Sequence, residues 1–172
     1  MLKKLKMPKL KNNPSGFTLV ELLVVISILG ILATIALTSF RSSQARGRDA
    51  ERKSDLKQLS SSLELYYSDY GKYPDSNAGK IAGCPSTTQT TCSWGTGDFT
   101  DGKTVYFKAL PKDPLDTNTY YYRIVDSGTN QKYQLFAYLE NTQDPNLITT
   151  GYSCGSSPCN FSITSSNTTP NE

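Results

Sequence analysis

From Phe17 to Phe40 the chain is apolar except for a few small hydroxyl residues and one carboxylate, Glu21. As a helix rising about 1.5 Å per residue, these 24 residues span a bilayer core of ~30 Å. Such a run lies in lipid or is covered by protein on every side. Neither setting suits an ionised glutamate, which costs a few kcal/mol even on lenient insertion scales and so calls for a partner and a role. A cleaved secretory signal fits poorly, because the run is too long and no small-x-small site follows it. A plain membrane anchor fits, Glu21 excepted.

Charge is unevenly placed along the 172 residues. The first sixteen carry Lys3, Lys4, Lys6, Lys9 and Lys11 and no acid, which argues for a cytoplasmic N-terminus. The far flank is also basic, with Arg41, Arg46, Arg48, Arg52 and Lys53, so the asymmetry is modest. Without the leader lysines, 13 basic residues face 15 acidic ones, and the pI of 8.6 says little about nucleic acid. Asp49, Glu51 and Asp55 interrupt the basic stretch from Arg41 to Lys57, which reads as a mixed exposed helix face rather than a DNA-binding one. The chain has no histidine, no glycine-rich phosphate loop after a strand and no paired carboxylates. It reads as a non-enzyme without a cofactor.

Nothing stops the helix at Phe40. Leu56, Leu59, Leu63, Tyr66 and Tyr70 recur at spacings of 3, 4, 3 and 4, one apolar helical stripe. Gly71 is a C-cap and Pro74 blocks continuation. A single helix over Phe17–Tyr70 would be about 80 Å long, more than a domain of this size needs, so most of its packing must lie outside its own domain. Lys72 to Tyr106 reads as a long connection, and "YFKALPKDPLD" as a short helix or turn. "TYYYRIV" and "KYQLFAYLE" form a β-hairpin. A lone hairpin is marginal, so a third strand is expected near Thr104–Phe107 or in the C-terminal segment. The boundaries are a leader at 1–16, a transmembrane and assembly helix at 17–40, its amphipathic continuation at 41–71, a globular part at 72–160 and a flexible tail at 161–172.

The cysteines fall into two couples, Cys84 with Cys92 and Cys154 with Cys159. Neither has CxxC spacing, and pairing within each couple would contribute roughly 2–3 kcal/mol per short loop; a four-cysteine zinc site is the competing reading. Asp113, Asp116 and Asp126 are weak calcium candidates in a proline-bent loop. The eleven tyrosines read as core and subunit contacts rather than stacking platforms.

"SGFTLVELLVVISILGIL" closely resembles the N-terminal segment of type IV prepilins and type II secretion pseudopilins. Gly16 ends the leader, Phe17 opens the apolar segment and Glu21 is its fifth residue. The resemblance implies cleavage after Gly16 by a membrane aspartyl prepilin peptidase and N-methylation of Phe17. A glycine admits a protease backbone closely. Cleavage leaves an ammonium on Phe17, roughly 6 Å along a helix from Glu21. Paired, the two charges cost less to bury than either alone; paired between subunits, they fix one axial stagger. Further on, "RDAERKSDLKQLSSSLELYYSDYGKYP", "LPKDP" and "YYYRIV" resemble the major pseudopilin of type II secretion. Two departures stand out: Thr38 takes the place of the family's common proline, and "TGYSCGSSPCNFS" stands where an Asp/Gly-rich calcium loop is usual. A late cysteine pair is more like a true type IV pilin.

The expected fold is α+β and pilin-like, a long N-terminal helix carrying a small antiparallel sheet. The expected function is a filament subunit that supports export as a type II secretion pseudopilin; the alternatives are a type IV pilin for adhesion, motility or DNA uptake, and a membrane-anchored binding module. The resemblance implies as partners other copies and other pilins or pseudopilins, the prepilin peptidase, an inner-membrane platform and a cytoplasmic ATPase. It places the chain in the bacterial inner membrane, single-pass, with an extracytoplasmic C-terminal part.

Overall fold

The helix is present as α1 (Leu19–Tyr70), and local chemistry sets both its ends in the computed structural model, which describes residues 16–82 and 91–172. Thr18 precedes the first turn. At the other end Gly71 takes φ +67° and donates its N–H to the Tyr67 carbonyl at 2.7 Å, the left-handed C-cap that a residue without Cβ adopts freely. The chain forms two compact units, one ending at Arg41 and the other covering Ser42–Glu172. In the first, every described large apolar side chain is exposed.

In the second unit the stretch read as a connection holds four short strands. These are β1 (Ser76–Asn77), β2 (Lys80–Ile81), β3 (Phe99–Thr100) and β4 (Val105–Phe107), paired as two antiparallel hairpins. No helix forms in "YFKALPKDPLD", where Pro111 and Pro114 lack the amide hydrogens a helix needs. The predicted hairpin is β5 (Tyr121–Ile124) with β6 (Tyr133–Ala137). The small pair β7 (Ser153–Cys154) and β8 (Ser157–Pro158) follows, and then β9 (Phe161–Thr164).

β9 is the third strand, lying antiparallel to β6 with Ile163 opposite Leu135. This corrects the flexible tail expected at 161–172. Phe161 and Ile163 at period two supply a strand face, and the polar end is tied down beyond it. Gln134 donates to the Thr169 carbonyl at 2.7 Å, and Asn167 donates to the Gln131 carbonyl at 3.0 Å. Side-chain bonds hold what composition alone would leave loose.

The buried helix stripe meets one sheet face. Leu56, Leu59 and Leu63 share a core cluster with Tyr122, Tyr133, Leu135 and Phe161. The other face carries Phe136 with Cys154 and Cys159, flanked by Tyr121 and Tyr152. Phenol hydroxyls bind helix side chains at intervals: Tyr120 donates to Asp55 at 2.6 Å, Tyr73 to Glu64 at 3.0 Å and Tyr106 to Asp69 at 2.8 Å. Burial raises the Asp55 carboxyl above its ordinary value, although the Tyr120 hydroxyl pulls the other way.

The β1–β2 turn is built on Ala78 and Gly79, both at positive φ (49° and 77°), as a type I′ turn requires. A Cβ on Gly79 would stand 2.5 Å from the Tyr121 ring, so position 79 admits only glycine. Ala78 has no such constraint and sits in a conformation that asparagine tolerates better. Ala78→Asn is therefore expected to stabilise the protein by about 0.5–1 kcal/mol, read as a higher denaturant midpoint with unchanged slope.

Candidate functional site

At the start of α1 the residues singled out in the sequence stand together. Gly16 and Phe17 precede the helix and are exposed, Phe17 to 85%. The Glu21 carboxylate accepts from the Thr18 amide at 2.9 Å and from the Thr18 hydroxyl at 2.8 Å, and the Glu21 amide donates to that hydroxyl at 3.2 Å. This reciprocal arrangement is a capping box that satisfies donors the first helical turn leaves open. Thr18 was missed in the sequence, although Thr18-Leu19-Val20-Glu21 carries the box's spacing just before an apolar run. The glutamate therefore has a local partner in the uncleaved chain.

Beyond the cap, α1 is long and apolar enough to cross a membrane. Fifteen large apolar side chains from Phe17 to Phe40 are between 47% and 85% exposed, so their burial must come from lipid or from other chains. Two hydroxyls within this stretch are satisfied locally. Ser27 donates to the Val24 carbonyl and Thr34 to the Ile31 carbonyl, each at 2.7 Å. Both bonds suit a helix without water.

The other candidates separate. Cys154 and Cys159 are joined as a disulfide, so their sulfurs are not free for the four-cysteine zinc site. Cys92 is buried and disulfide-bonded, and Cys84 lies outside the described residues. The three calcium candidates serve three different places. Both Asp113 oxygens bind the Arg52 guanidinium at 2.8 Å. Asp116 pairs with Lys112 at 2.7 Å on the surface. Asp126 accepts from the Gln131 and Lys132 amides and the Thr129 hydroxyl, closing its own loop. Among the described residues no three His, Cys, Asp or Glu side chains are placed so that they could hold a metal ion.

Two charges of the stretch read as an exposed mixed face, Asp49 and Arg52, turn inward instead. Arg52 is fully buried, and its guanidinium also meets Asp49 at 2.8 Å and Glu140 at 2.7 Å. Asp49 accepts in addition from the Glu140 and Asn141 amides at 2.9 and 2.8 Å, and Arg48 forks onto Glu140 at 2.8 and 2.6 Å. Helix α1 is thus clipped to two loops far away in sequence. Lys53, one turn after Asp49 on the helix, pairs with Asp144 rather than with Asp49. One guanidinium with five donors can serve three carboxylates, a geometry that charge spacing along the helix does not reveal.

The Arg48 and Arg52 guanidiniums hold the Glu140 carboxyl at about 2, against an ordinary 4.5. A depressed value contributes stability that is whole above the ordinary value and is lost as pH falls through the folded one. Thermal melts of the wild type are therefore expected to lose stability between pH 4.5 and about 2. Glu140→Gln should be less stable at neutral pH, with a shallower fall across that window.

Comparison with known proteins agrees with both parts of the chain. Residues 11–37 match the family described as "Prokaryotic N-terminal methylation motif", and residues 40–146 match "Type II secretion system (T2SS), protein G". The type II secretion system core protein G of Aeromonas hydrophila is 31% identical over 127 residues, covering 74% of this chain and 83% of that protein. The Pseudomonas aeruginosa core protein G is 30% identical over 129 residues, covering 74% and 84%. The type IV major pilin protein PilA of Myxococcus xanthus is 43% identical over 60 residues, 35% of this chain and 27% of that one. No solved structure matches. With the capped apolar helix, the antiparallel sheet and most of both chains aligned, this protein belongs to the type II secretion system protein G family.

Proposed function

We propose that the chain is cleaved between Gly16 and Phe17, methylated on Phe17 and polymerised through α1 as the structural subunit of a type II secretion pseudopilus. The observation that carries this reading is that the large apolar side chains from Phe17 to Phe40 are all exposed and that the one carboxylate in this stretch, Glu21, sits in the first turn of α1. In the membrane, lipid covers those side chains; in a filament, the helices of other copies do so, and the transfer bypasses water. Glu21 sets the register. The ammonium freed on Phe17 by cleavage carries more charge than the Thr18 amide and can displace it from the carboxylate, within the chain or from a neighbour.

The partners are then further copies and other pseudopilins, the prepilin peptidase, a platform protein in the inner membrane and a cytoplasmic ATPase that supplies the work of extension. The lysine-rich leader would stay cytoplasmic and the unit from Ser42 would lie outside, where the Cys154–Cys159 disulfide is chemically at home. That disulfide and the PilA likeness favour a second reading, a type IV pilin. Deleting the gene in its own bacterium discriminates. Loss of exported enzymes with surface pili intact supports the pseudopilus, and loss of pili with export intact supports the pilin.

A further inference from the structure

Five basic residues follow the apolar run, and the second unit consumes three of them. Arg48, Arg52 and Lys53 are ion-paired to Glu140, Asp49, Asp113 and Asp144. Arg41 and Arg46 are exposed and form neither an ion pair nor a hydrogen bond with any described residue. They are also the two closest in sequence to Phe40, where the run ends. Unneutralised arginines on the translocated flank of a span run against the usual charge bias and call for a counter-charge.

Arg46 has more than its own charge to offer. It lines a cavity of about 290 Å³ with Ser42, Thr142 and Gln143. The two hydroxyls and the Gln143 side-chain amide have no hydrogen-bond partner among the described residues, so four sets of unused donors line one cavity. The one carboxylate on the wall, Glu140, is already held by Arg48 and Arg52.

We infer that this cavity is a phosphate site whose occupant is the phosphodiester headgroup of an anionic phospholipid, bound while the subunit resides in the membrane. A guanidinium fork matches phosphate oxygens in pairs, and hydroxyl and amide donors complete the shell. Arg46 lies only six residues beyond Phe40 on α1, and anionic headgroups attract basic side chains next to a span. The inference rests on the membrane-resident stage of the proposed function. It adds a step to that stage, because a subunit entering a filament must release the headgroup.

The test uses the full-length chain in nanodiscs of phosphatidylcholine with and without phosphatidylglycerol. Incorporation into the discs is scored first, and lipid retained after detergent release is then read by native mass spectrometry. The wild type is expected to retain phosphatidylglycerol over phosphatidylcholine. Arg46→Gln should incorporate equally and lose that preference by about tenfold, the worth of one charge-assisted bidentate contact, while Lys108→Gln keeps it. Equal retention by the wild type and Arg46→Gln, with both incorporated, overturns the site alone. Displacement of the lipid by inorganic phosphate at equal concentration assigns the cavity to a soluble anion and overturns the lipid source. A wild-type chain that fails to incorporate overturns the membrane reading beneath both.

Discussion

Glu21→Ala is expected to insert into the membrane as well as the wild type or better, and to be absent from filaments. Removing a carboxylate from a spanning helix lifts a cost of a few kcal/mol, so insertion gains. Assembly loses more. A mature Phe17 ammonium buried among helices without its carboxylate leaves an uncompensated charge, worth about 3–5 kcal/mol, a factor of roughly one hundred to several thousand per subunit contact. Thr18→Ala separates the cap from the charge: it breaks the box seen at Thr18 and Glu21 but keeps the carboxylate. It should cost about 1 kcal/mol at the helix end and leave some filament incorporation. Membrane fractionation scores insertion, and shearing or immunolabelling of fibres scores incorporation. Equal incorporation by Glu21→Ala and wild type would remove the charge pair from the assembly mechanism.

The second large effect is expected at Arg52. Arg52→Met keeps much of the side chain's length and removes its charge, leaving Asp49 and Asp113 buried without their cation. Breaking a buried pair from one side costs about 3–5 kcal/mol, a large share of the stability of a unit this size. Arg48→Gln, at a side chain 29% exposed, should cost roughly 1 kcal/mol or less. Chemical unfolding of the full-length protein in detergent compares them. A similar midpoint shift for both variants would show that the buried guanidinium is not the clip between α1 and the two loops.

Much of this was legible in the residues. The 3-4-3-4 spacing of Leu56 to Tyr70 placed the buried stripe, the tyrosine-rich runs placed β5 and β6, and Gly71 marked the helix end, because each is a local signal read over a few residues. The features that escaped depend on partners far away in sequence. Arg52 reads as one more helix-surface base until Asp113 and Glu140 fold onto it from 61 and 88 residues away. The end of the chain has a disordered composition, yet β9 completes a sheet whose central strand, β6, is fully buried. The three calcium candidates part for the same reason: Asp113, Asp116 and Asp126 stand within one stretch of sequence, but each answers to a different cation or loop. Thr18 is the exception, a local signal that was present and went unread beside the more conspicuous Glu21.

Most directly, the intact mass and N-terminal sequence of the protein recovered from its native membrane decide whether this is an assembling subunit. A chain that begins at N-methylated Phe17 is the expected result, with the ammonium in place for Glu21. A chain that retains Met1 to Gly16 in cells with an active prepilin peptidase would leave Glu21 with only its Thr18 cap, and the helix would then be an anchor.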